Sequence, residues 1–147
     1  MTLTIKPYCI YDVEANSQHI DPNNHINNIV YLQWMQDSAI EHVKQNKVYE
    51  LTQPLGLTWF AKQHTIEYLS QGFMGDKIRV ITWVAELTKI STLRKYYIYR
   101  RSDKILLCKG ETRWVMINAQ KGKPTKIPQN ILDLISVADD SNIINLI

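Results

Sequence analysis

Between Thr58 and Asn118 the chain reads as four strand segments joined by very short connections, and this constrains the fold more than any other feature. The runs Thr58–Tyr68, Lys77–Leu87, Thr92–Arg101 and Lys104–Ile117 are rich in Ile, Val, Thr, Tyr and Trp, residues that suit a pleated, half-buried surface. Gly72 and Gly75 punctuate the first pair, Lys89-Ile90-Ser91 the second and Ser102-Asp103 the third. Connections this short favour antiparallel hairpins, because a parallel pair needs a crossover of about a dozen residues or more. The last run alternates over part of its length, with Arg113, Val115 and Ile117 on one face and Thr112, Trp114 and Met116 on the other. A further strand is expected from Thr4 to Tyr11, a turn at Lys121-Gly122-Lys123-Pro124, and a short amphipathic helix from Gln129 to Val137.

One long helix precedes the four strands. Leu32, Met35, Ala39 and Val43 recur at spacings of three and four, and Trp34 and Ile40 widen the apolar stripe. Asn27 or Asn28 supplies the N-cap, and Lys44 and Lys47 suit the negative end of the helix dipole. Gln33, Asp37, Glu41 and Lys44 form the opposite face, with His42 expected on that solvated side. A helix of about 18 residues against a five-stranded antiparallel sheet is an α+β layer arrangement. It covers one face of the sheet only, so a homodimer or homotetramer is expected to manage the remaining edges and faces.

The composition closes off several other classes. With 147 residues, 45% of them hydrophobic and 21% charged, the chain is an ordinary globular sequence of one domain, residues 1–147. Seventeen basic against fourteen acidic residues leave +3, scattered without the basic stripe of a nucleic-acid binder. No run approaches the roughly 18 apolar residues of a membrane span, and the first residues lack the apolar core of a signal peptide. Cys9 and Cys108 stand in expected strands, without ligand-like spacing, and read as small buried hydrophobes in a reduced chain. A cytoplasmic protein is the expectation.

Chemistry concentrates in the loop before the helix. Four Asn, one Asp and one Pro fall within positions 21–28. Asp21, Asn23 and His25 alternate, Asn27 and Asn28 follow, and Tyr31 opens the helix. A carboxylate just ahead of a helix faces its free backbone N–H groups, which can also stabilise an oxyanion when a carbonyl is attacked. One short segment thus offers a base, an imidazole, an amide and an oxyanion hole, the parts that acyl transfer to water needs. The alternative is an Asx-turn that merely feeds a helix cap, with His25 a hydrogen-bonded structural residue.

The stretch His19-Ile20-Asp21-Pro22-Asn23-Asn24-His25-Ile26-Asn27-Asn28-Ile29-Val30-Tyr31 resembles the active-site segment of hot-dog-fold acyl thioesterases. It is most similar to the D-x-N-x-H-x-N-N-x-x-Y pattern of acyl-ACP thioesterases and their small bacterial acyl-CoA relatives. The Asp-Pro pair, with a Tyr ten residues after the Asp, is also similar to hydroxybenzoyl-CoA thioesterases. The resemblance continues through Tyr31-Leu32-Gln33-Trp34 and Gly110-Glu111-Thr112-Arg113-Trp114-Val115-Met116-Ile117-Asn118 to Lys123-Pro124 and Ile127-Pro128. It implies a single hot-dog domain, a long helix wrapped by the sheet, that hydrolyses an acyl-CoA or acyl-ACP thioester.

Carried over by residue, the resemblance makes Asp21 the catalytic carboxylate, as general base on water or as nucleophile on the thioester. Asn23 and His25 position substrate and water, and the Asn28 N–H polarises the carbonyl. Asn27 and Tyr31 hold the loop and helix start, Tyr31 being grouped with the substrate-binding residues. Lys89, Arg94 and Lys95 flank the second hairpin, where such enzymes can dock the phosphates of coenzyme A; a solvated turn is the plainer reading. A second carboxylate, which the acyl-ACP enzymes carry in the strand after the helix, finds only Glu67 or Gln71 here. Those enzymes are double hot-dog chains, so a homodimer would restore the pair.

The remaining candidates carry plainer expectations. His64 is read as a surface or interface residue. Trp34, Trp59, Phe60, Trp83, Tyr96 and Trp114 are read as core first and as acyl-tunnel lining second. No metal or organic cofactor is expected beyond coenzyme A as part of the substrate. The rival functions are an enoyl-thioester hydratase or dehydratase and a non-catalytic acyl-CoA binder.

Overall fold

The computed structural model describes residues 6–147. Its long elements are β1 (Tyr8–Glu14), α1 (Asn28–Gln45), β2 (Leu57–Tyr68), β3 (Lys77–Leu87), β4 (Ser91–Arg100) and β5 (Leu106–Asn118). The first strand thus ends three residues beyond the expected end at Tyr11, and expected positions 4–5 fall outside the described residues. A short α2 (Val48–Thr52), the two-residue β6 (Lys123–Pro124), α3 (Gln129–Leu132) and α4 (Asp140–Ile144) complete the chain. The helix expected from Gln129 to Val137 therefore stops at Leu132, while α2 and α4 had no counterpart in the sequence pattern.

The strands form one antiparallel sheet in the order β1-β3-β4-β5-β2, with β6 added beside β5. Residues abreast in this register share a face, which fixes an inner and an outer set. Ile98, Cys108 and Tyr68 lie abreast on the inner face, as do Tyr96, Gly110 and Ile66. Lys95, Glu111 and Thr65 form an outer row, and Tyr97, Lys109 and Glu67 another. Helix α1 packs on the inner face. Tyr31, Trp34, Met35 and Ala39 are buried with Ile78, Val80, Tyr96, Ile98, Leu107 and Cys108. Gly110 permits that approach, because a Cβ there would stand 2.7 Å from Met35 Sδ.

The stripe that α1 buries is rotated from the expected one. It runs Tyr31, Trp34, Met35, Ser38, Ala39, His42, whereas Ile40 is 47% exposed. Ser38 is admitted because its hydroxyl donates to Met35 O at 2.8 Å. His42 is the larger correction: it faces the sheet, not solvent, and its Nδ1 lies 2.9 Å from Arg94 Nη1. Both cysteines are buried and free, as expected of small hydrophobes.

The outer face is covered in part by the chain's own tail. Ala138 N–H donates to Val84 O, and Ile143 packs with Ile81, Trp83 and Tyr99. Asp140 takes the indole N–H of Trp83 at 3.0 Å and the ammonium of Lys95 at 2.6 Å. No helix among the described residues is long and apolar enough to cross a membrane.

Candidate active site

The loop 19–27 closes on itself before it enters α1. Asp21 N–H donates to His25 O at 2.8 Å and Asn24 N–H to Asp21 O at 3.0 Å, with Asn24 in the left-handed region at φ 65°. Asp and Asn tolerate such a backbone better than most side chains, which accounts for the local composition. Asp21 Oδ1 accepts the backbone N–H groups of Asn23, at 2.9 Å, and His25, at 3.2 Å. No described residue donates to Oδ2, and Asp21 is half-buried. The Asx-turn expected as the plainer alternative is therefore present, yet it spends one carboxylate oxygen and leaves the other open.

Asn27 is the N-cap, its side chain accepting from Ile29 N–H at 3.1 Å. Val30 N–H returns to Asn27 O at 2.9 Å. Asn28 is the first helical residue, and among the described residues nothing accepts its exposed N–H. That donor stands at the positive end of an 18-residue helix.

A second segment, which no motif in 21–31 signals, forms the wall of the site. Ile26 N–H donates to Gly72 O at 2.9 Å, and Tyr68 Oη donates to Asn28 O at 2.9 Å. The His25 and Phe73 rings meet edge-on at 5.5 Å. Gly72 has no room for a side chain, since a Cβ would stand 2.4 Å from Ile26 Cδ1. Ile29, Tyr68, Leu69, Phe73 and Met74 leave exposed apolar surface around this wall.

The structure sets Asp21, Asn23 and His25 in one loop, with Asn28 at the helix start that follows it, and sets the remaining candidates elsewhere. Asn23 is exposed and His25 half-buried. Tyr31 is only 2% exposed, and burial pushes its hydroxyl up to about 12. It packs edge-on against Trp34 and Tyr68, so it supports the helix start rather than lining an open substrate site.

Lys89 is exposed in the β3–β4 turn. Arg94 departs from the solvated-turn expectation: it is 4% exposed on the inner face, its Nη1 bonded to His42 and to Thr82 Oγ1. Lys95 is on the outer face, paired with Asp140. The alternation of β4 separates these two neighbours, because successive side chains point to opposite faces. Glu67 is likewise on the outer face, away from α1, and Gln71 is exposed beyond the strand. His64 is on the inner face, its Nδ1 2.8 Å from Thr112 Oγ1, with burial holding the imidazole below its ordinary range.

Of the aromatic set, Trp34, Trp83 and Tyr96 are core, while Phe60 is 56% exposed. Trp59 and Trp114 line a cavity of about 390 Å³ at the far end of α1. Among the described residues no three His, Cys, Asp or Glu side chains are grouped to hold a metal.

Comparison with known proteins agrees with this architecture. A 1,4-dihydroxy-2-naphthoyl-CoA thioesterase from Synechocystis superposes with a TM-score of 0.78 at 15% identity, covering 87% of this chain and 95% of that one. A probable thioesterase from Escherichia coli gives 0.79 at 12% identity, covering 86% and 96%. An acyl-ACP thioesterase from Bacteroides thetaiotaomicron gives 0.80 at 22% identity, covering 90% of this chain but 55% of that one. None of the curated proteins compared matches the chain. The fold is the hot-dog fold. The model of the thioesterase-like superfamily matches residues 16–135, from the turn before the Asp21 loop to just past α3, and the chain belongs to that superfamily.

Proposed function

We propose that the protein hydrolyses an acyl-CoA thioester, or an acyl-ACP one, to the free acid and thiol in the cytoplasm. The observation that carries this reading is the open Oδ2 of Asp21, tethered through Oδ1 ahead of a helix whose first N–H has no described acceptor. Asp21 acts as general base on water or as nucleophile, and the Asn28 N–H receives the negative charge that develops on the thioester oxygen. Asn23 and His25 position substrate and water. A thiolate is an acceptable leaving group, so the reaction as proposed needs no metal or organic cofactor. Lys89 remains the cation suited to the phosphates of coenzyme A.

The direct test is thiol release from a panel of acyl-CoAs, short to long and aromatic. Release with saturation kinetics is the expected result. Tight binding without release from any of them would favour the non-catalytic acyl-CoA binder. His25→Ala is expected to cost about 10²-fold in kcat/KM, the usual scale of a positioned imidazole. A loss that merely tracks a lower Tm would return His25 to a structural role.

We further propose that the working unit is a homodimer paired along β2. This edge strand is 12 residues long, its outer edge is unpaired among the described residues, and it exposes Phe60. Antiparallel pairing about its centre would set the Tyr68 end, which holds Asn28, beside the Leu57 end of the second copy. Phe60→Asp is expected to convert the pair to monomers in light scattering. An unchanged mass would exclude this edge as the interface.

A further inference from the structure

The cavity at the far end of α1 has features that the Asp21 loop does not use. Its volume of about 390 Å³ lies within the range of small-molecule sites, roughly 300–1,000 Å³. Ile40, Val43, Trp59, Trp114 and Ile135 supply much of its wall, and Arg94 stands among them. Ala39, the lining residue nearest the loop on α1, is roughly 16 Å along the helix from Asn28. The buried side chains of Trp34, Met35 and Tyr96 pack in the layer between.

Two of the polar groups of this wall, Arg94 and Trp59, have N–H donors left over among the described residues. Arg94 Nη1 is bonded to His42 and Thr82, but among the described residues nothing accepts from Nε or Nη2 and no carboxylate pairs with the guanidinium. An arginine keeps its proton in proteins, and a buried cation is costly unless it is paired. Trp59 adds a buried indole N–H with no acceptor among the described residues. Exposed Lys44 contributes a second cation, and no Asp or Glu lines the space. An apolar chamber with an unneutralised guanidinium calls for an anionic headgroup on an apolar body. The planar fork of the guanidinium matches a carboxylate with two parallel hydrogen bonds.

We infer that this cavity is a binding site for an apolar organic acid, its carboxylate on Arg94 and its body against Val43, Trp59 and Trp114. The acid arrives in one of two ways. It is a free acid, or it is the distal carboxylate of a dicarboxylic acyl group whose thioester sits in the partner's Asp21 loop. The second source rests on the thioesterase and dimer readings, because pairing along β2 would bring the Thr58–Trp59 wall beside the partner's helix start.

Calorimetric titration with octanoate and with 1-octanol tests the site without any turnover. The wild type is expected to bind octanoate about tenfold or more tighter than octanol, and Arg94→Met to erase that preference. Val43→Trp, which fills the chamber and leaves the guanidinium in place, is expected to weaken both probes. It keeps the test decisive if Arg94→Met does not fold. Equal binding of the two probes by the wild type, no binding of octanoate, or octanoate binding untouched by the variants would overturn the proposal.

Hydrolysis of suberyl-CoA and octanoyl-CoA then separates the sources. A suberyl-to-octanoyl ratio of kcat/KM that falls in Arg94→Met identifies the distal carboxylate. Octanoate binding with an unchanged ratio identifies a free acid. If neither thioester is cleaved while octanoate keeps its preference, the hydrolase reading fails and the acid site stands.

Discussion

Asparagine in place of Asp21 is expected to slow thioester hydrolysis by about three orders of magnitude while the protein stays folded. The amide oxygen of Asn can still accept the N–H groups of Asn23 and His25, so the loop keeps the bonds that Oδ1 now makes. What disappears is the negative charge and basic lone pair of Oδ2, the feature of this residue on which the proposed reaction depends. The loss should fall on kcat, with KM little changed, because an interaction made chiefly in the transition state is removed. Initial-rate measurements on the best acyl-CoA, beside a thermal melt of each protein, give the answer. Near-native kcat in a folded variant would remove Asp21 from the reaction and leave its Asx-turn as its whole purpose.

A second large effect is expected on stability in mild acid, and it comes from His42. Burial and the adjacent Arg94 charge lower this imidazole from 6.5 to about 4. Above pH 6.5 neither the folded nor the unfolded chain protonates it, and its contribution is fully retained. Between pH 6.5 and about 4 the unfolded chain takes up a proton that the folded chain refuses, so stability falls as the pH falls. Below about 4 the folded state accepts the proton too, and the loss levels off. A displacement of this size corresponds to about 3 kcal/mol.

His42→Gln removes the titration and keeps an acceptor for Arg94. Its urea midpoint is expected to decline less than that of the wild type between pH 7 and pH 4. Parallel declines would show that the ring is protonated in the folded protein. Asp12, Asp103 and Asp139, held below the usual carboxylate range by Arg79, Arg100 and Ser141 respectively, act in a more acidic window.

His42 also shows where local pattern stops being sufficient. The order of a long helix and four antiparallel strands followed from apolar periodicity and from glycine and serine punctuation, and Asn27 was one of two named caps. These are local features, decided within a few residues. The rotation of α1 is not local. His42 enters the buried stripe because Arg94, 52 residues away, meets it there. Arg94 in turn could not be told from Lys95 by sequence, although one faces the helix and the other the outer surface.

The candidate site divides in the same way. Asp21 to Asn28 form a contiguous motif, and the loop brings them together. The wall made by Tyr68, Gly72 and Phe73 comes from a segment 40 residues or more downstream of its contacts, packed against the loop by contacts that no spacing rule encodes. Tyr31 matched the motif but is enclosed, so a pattern position does not guarantee an exposed side chain.

The tail on the outer face has a consequence for how copies of this chain can accumulate. Where Ile143 lies over Trp83 and Tyr99, the greasiest part of the sheet's back is already occupied by its own sequence. Beside it, Lys95 is tied to Asp140 of that tail, and the uncovered remainder presents Lys109, Glu67 and Glu111. Back-to-back stacking of two sheets would have to displace the first or strip water from the second. Growth by that route is therefore penalised at both ends of the face, and pairing along β2 would use up the longer of the sheet's two edge strands, leaving only the seven residues of β1 open in each copy among the described residues.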